Sequence, residues 1–146
     1  MRPPPAGSNL EVRPETNALY ERVEPLAEVM FLVMSSDGSI ATHERDALRG
    51  MLRSLTDGAL SSREMEQMLD DFAAHLERDG IEQRLDTLAA RLYAEPEDRE
   101  LALALAAASA IADAEVVPSE AAVLNGLAER LGVSRTRVNE LLEEGP

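Results

Sequence analysis

Ser36-Asp37-Gly38-Ser39-Ile40-Ala41-Thr42-His43-Glu44 is written into this chain twice. Ala112-Asp113-Ala114-Glu115-Val116-Val117-Pro118-Ser119-Glu120 repeats it at a constant offset: Asp113 follows Asp37 by 76 residues, Glu120 follows Glu44 by 76, and Leu124 follows Leu48 by 76. In each copy an acid opens a short turn, a β-branched residue follows, and a second acid stands seven residues after the first. An apolar run precedes each copy and an amphipathic pattern follows it. A fixed internal period marks a duplicated supersecondary unit, here a helix, an acidic turn and a second helix.

Outward from the two turns, the pattern is helical throughout. Leu26 to Met34 is apolar on nearly every face, which predicts a buried core helix. Pro25 just before it predicts a helix break or start, because proline at the first helical position loses no bond. Leu101 to Ala112 is Ala/Leu-rich on all sides and is the counterpart of 25–36, so these two are the predicted central helices. Ala47, Leu48, Met51, Leu52 and Leu55 form one stripe, and Ser61-x-x-Glu64 is a capping box for the next helix. That helix carries Met65, Met68, Leu69, Phe72, Ala73 and Leu76, and Asp79-Gly80 should close it. Ile81, Leu85, Leu88 and Leu92 make another stripe, and Pro96 restarts the chain. Val123, Leu124, Leu127 and Leu131 follow, Gly132 ends that helix, and Val138, Leu141 and Leu142 make the last. No run alternates as a half-buried strand does. The predicted fold is all-α, a bundle of seven or eight helices built from two pseudo-symmetric helix–acidic turn–helix repeats.

Residues 1–16 hold four of the eight prolines and little apolar content, which predicts a disordered or extended arm. Residues 17–144 are the helical domain, with repeat one at about 25–56 and repeat two at about 101–131. The chain has no Cys, so a disulfide framework and a thiolate metal site are both excluded. No window approaches the roughly 18 apolar residues of a membrane span, and Met1-Arg2-Pro3-Pro4-Pro5 lacks the apolar core of a signal peptide. A soluble, cytoplasmic protein without membrane insertion is expected. The formal charge is −14, with 28 acids against 14 bases, and every base is Arg. Phosphate neutralisation supplies most non-specific nucleic-acid affinity, so this balance suits cations or basic protein surfaces better.

Asp37-Gly38-x-Ile40-x-x-x-Glu44 resembles the signature of the tellurite-resistance TerB family and its TerB-like relatives, and the second copy departs from it only in carrying Ala114 for Gly. The resemblance covers about residues 18–143 and both repeats. It implies that the two units pack about a pseudo-two-fold, so that Asp37, Glu44, Asp113 and Glu120 converge. Two carboxylates about 5 Å apart repel by roughly 3 kcal/mol at an effective dielectric near 20, so four would take up protons or hold a hard cation. All-oxygen ligation favours a divalent cation, Ca²⁺ ahead of Mg²⁺. Capping is the competing explanation, since acids at helix N-termini are favoured by the macrodipole alone. Yet the Ser or Thr that would complete each capping box is Ala41 in one copy and Val117 in the other. This is no EF-hand, because the position of the bidentate Glu, twelve counted from Asp37, is Leu48. His43 is expected at the surface, and His75 is given no role.

Leu127 to Leu141 has the spacing of a helix-turn-helix, with Arg135, Thr136, Arg137 and Asn139 where a major-groove helix would carry them. DNA binding through residues 124–142 is therefore the alternative function. Against it, residues 121–146 hold three Arg and four Glu, and any two helices meeting at a tight Gly turn show such spacing. A nucleophile elbow, a phosphate loop and paired Glu-x-x-His motifs are all missing from the sequence, so a non-enzymatic role is expected. The family resemblance implies a stress-response, tellurite-resistance-type scaffold that binds protein partners.

Overall fold

The computed structural model describes residues 14–36, 42–111 and 117–144. Among them are seven helices and no strand: α1 Pro14–Met34, α2 Thr42–Thr56, α3 Ser62–Asp79, α4 Ile81–Leu92, α5 Pro96–Ala110, α6 Pro118–Leu131 and α7 Arg135–Glu144. The all-α expectation holds, with the two apolar runs at its centre as α1 and α5. These two pack on each other more extensively than any other pair of helices.

Every residue from Pro25 to Ser35 is buried, as an apolar run with no polar face requires. The helix does not break at Pro25, which lies inside α1. Proline removes the N–H that would have bonded the carbonyl four residues back. That carbonyl belongs to Glu21, and the Arg91 guanidinium of α4 approaches it at 3.5 Å while standing 3.6 Å from the Glu24 carboxylate. A tertiary donor thus covers the local defect. α1 begins at Pro14, within the stretch read as an arm, and residues 1–13 lie outside the described residues.

Helix ends follow the local chemistry. Ser61 Oγ accepts the Glu64 N–H at 3.0 Å, and the Ser61 N–H donates to the Glu64 carboxylate at 2.7 Å, the reciprocal pair of a capping box. Gly132 closes α6 in the left-handed region at φ 74°, ψ 27°. Gly80 closes α3 differently, with positive φ but extended ψ, at 83° and 163°, a region open essentially to glycine alone.

The core stripes are Leu48 and Leu52 of α2, Met65, Met68, Leu69 and Phe72 of α3, Leu85, Leu88 and Leu92 of α4, and Val123, Leu124, Leu127 and Leu131 of α6. Phe31 and Phe72 meet with ring centroids 5.7 Å apart, a tilted arrangement favoured by the ring quadrupoles. Two stripe residues differ from expectation: Ala47 and Ala73 are exposed. The duplication also reaches a third helix. Val138 and Leu141 of α7 lie 73 residues after Met65 and Met68 of α3, and all four are buried. The offset drops by three because the turn after α2 is two residues longer than the turn after α6 and α2 itself is one residue longer.

Candidate functional site

Each acidic corner lies where a central helix ends. The Ser35 N–H donates to Phe31 O at 2.9 Å and the Ser36 N–H to Val33 O at 3.3 Å, so α1 closes just before Asp37. In the second half Pro118, with no N–H to lose, opens α6 behind the extended Val117 at φ −84°, ψ 159°. Glu44 is the third residue of α2 and Glu120 the third of α6.

The two corners are in contact. The Ser36 hydroxyl donates to the Ser119 hydroxyl at 3.1 Å. Ser36 immediately precedes Asp37 and Ser119 immediately precedes Glu120, so the end of the first repeat's central helix meets the first turn of the second repeat's acidic helix. At the opposite end, Arg22 and Asp98, also 76 residues apart, form an ion pair at 3.3 Å. The Arg22–Asp98 pair thus joins equivalent positions, whereas the Ser36–Ser119 bond joins non-equivalent ones. No local pattern in the sequence signals this contact across 83 residues.

Glu120 is buried, with 6% of its surface exposed. Its carboxylate accepts the Val117 N–H at 3.1 Å. This is the acid's half of a capping box. The other half cannot exist, because valine has no side-chain acceptor. A carboxylate offers about four lone-pair sites, so a cap bond to one oxygen is compatible with ligation by the group as a whole. Glu44 is half-buried and His43 is exposed. Asp37 and Asp113, with Gly38, Ala114 and Glu115, lie outside the described residues. Among the described residues no group of three His, Cys, Asp or Glu side chains is gathered as metal ligands, and two of the four expected ligands fall outside that set.

The helix-turn-helix segment is α6–Gly132–α7. Ser134 Oγ accepts the Arg137 N–H at 3.1 Å and caps α7. Arg135, Thr136 and Asn139 are exposed. Arg137 reaches back to Glu100 of α5 at 3.0 Å and across to Glu140 at 3.2 Å, and α7 packs on both α5 and α6. On α3, His75 Nδ1 is buried without a hydrogen-bond partner. No helix among the described residues is long and apolar enough to cross a membrane.

The family model described as tellurite resistance protein TerB matches residues 24–142, a span that takes in both acidic corners and the whole bundle from the buried part of α1 to α7. The chain belongs to the TerB family. No curated protein and no solved structure gives a significant match. In this TerB domain two packed repeats touch at their acidic corners through a serine pair.

Proposed function

We propose that this TerB domain holds a divalent cation, Ca²⁺ ahead of Mg²⁺, among Asp37, Glu44, Asp113 and Glu120, and acts without catalysis as a protein-interaction scaffold in a cytoplasmic stress response of the tellurite-resistance type. The observation that carries the reading is the Ser36–Ser119 hydrogen bond. It brings a residue adjoining Asp37 against one adjoining Glu120, the first requirement for acids from both repeats to share one ion. Hard oxygen donors without sulfur suit Ca²⁺, which accepts six to eight of them flexibly. DNA binding through residues 124–142 is disfavoured by the Arg137 ion pairs with Glu100 and Glu140 and by the net charge of −14.

The test is thermal or chemical unfolding across a Ca²⁺ titration, with Mg²⁺ in parallel. A specific site stabilises the fold by RT ln(1 + [L]/Kd), about 2.7 kcal/mol at a hundredfold excess over Kd. An unfolding midpoint that ignores millimolar amounts of both ions would end the cation reading.

A further inference from the structure

The two seams between the repeats are covered differently. α4 lies across the seam between α1 of the first repeat and α6 of the second. Leu85 of α4 comes within 3.4 Å of where a Cβ on Gly126 would stand. Arg130 of α6 pairs with Asp86 at 2.6 Å and Glu82 at 2.7 Å of the same helix. Leu127, Leu131 and Val29 beneath it are 0%, 2% and 1% exposed. Shifted by the 76-residue offset, these seam residues become Gly50, Met51, Ser54, Leu55 and Leu105. Those five residues line an open groove between α2 and α5. Met51, Leu55 and Leu105 are only partly buried, and nothing lies within 4 Å of a Cβ built on Gly50. Among the described residues no helix lies across this groove as α4 lies across the other seam.

We propose that this groove receives an amphipathic helix of a partner protein, seated between α2 and α5 as α4 is seated between α1 and α6. The proposal rests on the protein-contact part of the function given above and names its surface. Glycine weakens a helix interior, and the equivalent Gly126 sits under Leu85; Gly50 gives an incoming helix the same close approach. The chemistry of the occupant follows from the substitutions between the halves. Ala104 of α5 stands where Glu28 pairs with Arg84, so the partner brings an apolar residue in place of that arginine. Ser54 stands where Arg130 holds two acids, so the partner needs no acids there. A second copy of this chain is a poor occupant. Two chains of charge −14 repel.

The probe is a fluorescent peptide with the sequence of Ile81–Leu92 carrying Glu82→Gln, Arg84→Met and Asp86→Gln, titrated with the full chain by anisotropy. Saturable binding is expected, weakened about tenfold or more by Gly50→Leu, which fills the groove, with the melting temperature kept. Absence of saturable binding, or equal binding by Gly50→Leu, overturns the proposal. So does a change in the chain's own oligomeric state on Gly50→Leu, which would make a second copy the occupant. A protein partner released by neutralising the acidic corners but retained by Gly50→Leu would leave the scaffold reading standing and overturn the groove.

Discussion

Arg84 of α4 forks onto Glu28 of α1, with Nε 2.7 Å from Oε2 and Nη2 2.9 Å from Oε1, across 56 residues of chain. The side chains are 9% and 2% exposed, so both charges have left water; Glu28 is held by Arg84, which also pairs with Asp79 at 3.2 Å. Removing one partner from such a pair costs about 3–5 kcal/mol, because the other charge stays buried. Arg84→Met should therefore lower stability by that amount in urea unfolding. The double variant Glu28→Leu with Arg84→Met should recover most or all of it, since well-packed apolar replacements of buried pairs are often neutral or stabilising. A double variant no better than the single one would show that the fork is not what these residues contribute.

The acid limb of stability should depend on Asp79 and Glu66. The Arg78 guanidinium, hydrogen-bonded to Asp79 with Arg84 adding to it, holds that carboxyl well below its usual range against the opposing effect of burial. Arg49 and then Arg45 lower Glu66 in the same sense. A carboxylate with a depressed folded-state pKa leaves the unfolded chain binding more protons as pH falls, so its contribution is present above about pH 4 and lost below it. Wild-type stability should fall as pH drops through about 4 toward the lower folded-state values. Asp79→Asn and Glu66→Gln should each flatten that slope while changing little between pH 6 and 8 relative to each other, measured by unfolding at stepped pH.

Gly50 and Gly126 are equivalent positions in α2 and α6, yet alanine should act differently at each. At Gly50 a Cβ meets nothing within 4 Å, so Gly50→Ala should gain about 0.5–1 kcal/mol from the helix propensity alone. At Gly126 it would meet Arg130 Nη1 at 3.2 Å and Leu85 Cδ1 at 3.4 Å. Arg130 cannot swing away without loosening its bonds to Glu82 and Asp86. The melting temperature should therefore be higher for Gly50→Ala than for Gly126→Ala. The reverse order would contradict the packing of α4 on α6.

What could be read from the chain and what could not divide along the range of the interaction. Ser61 with Glu64, and the glycines at 80 and 132, announced helix ends correctly because caps are made by residues three or four apart. The two central helices were legible because an apolar run with no polar face has only one stable location. Pro25 misled, since the local cost of a proline is fixed by sequence but its cover by Arg91 of α4 is not. Likewise α5 is Ala/Leu-rich on all sides and was expected as a central helix. Its composition shows which faces could be buried, whereas Leu101, Ala104, Leu105 and Ala108 are only partly so, since cover depends on which helices the chain supplies. The Glu28–Arg84 and Ser36–Ser119 contacts join residues 56 and 83 apart, and pairing at that range depends on the finished fold. At the candidate site the N-terminal places of Glu44 and Glu120 were legible from spacing, while Asp37 and Asp113 lie outside the described residues.

Capping and cation binding use different properties of Glu120, and one substitution separates them. Its carboxylate accepts the Val117 N–H at 3.1 Å, a bond that a glutamine carbonyl oxygen can also accept. Glu120→Gln therefore keeps the cap and removes the charge. If the side chain serves only the helix end, the variant should lose the small macrodipole contribution, about 0.3–1 kcal/mol, and respond to Ca²⁺ as the parent does. If it helps hold an ion, stability without Ca²⁺ should be equal or higher, because repulsion among the corner acids is relieved. The rise in unfolding midpoint on adding Ca²⁺ should then shrink sharply, and Asp37→Asn should reproduce that loss from the other corner. Calorimetric titration of the parent and both variants reads the two contributions apart. A full Ca²⁺ response in Glu120→Gln would assign the residue to the helix end and leave any cation to other groups.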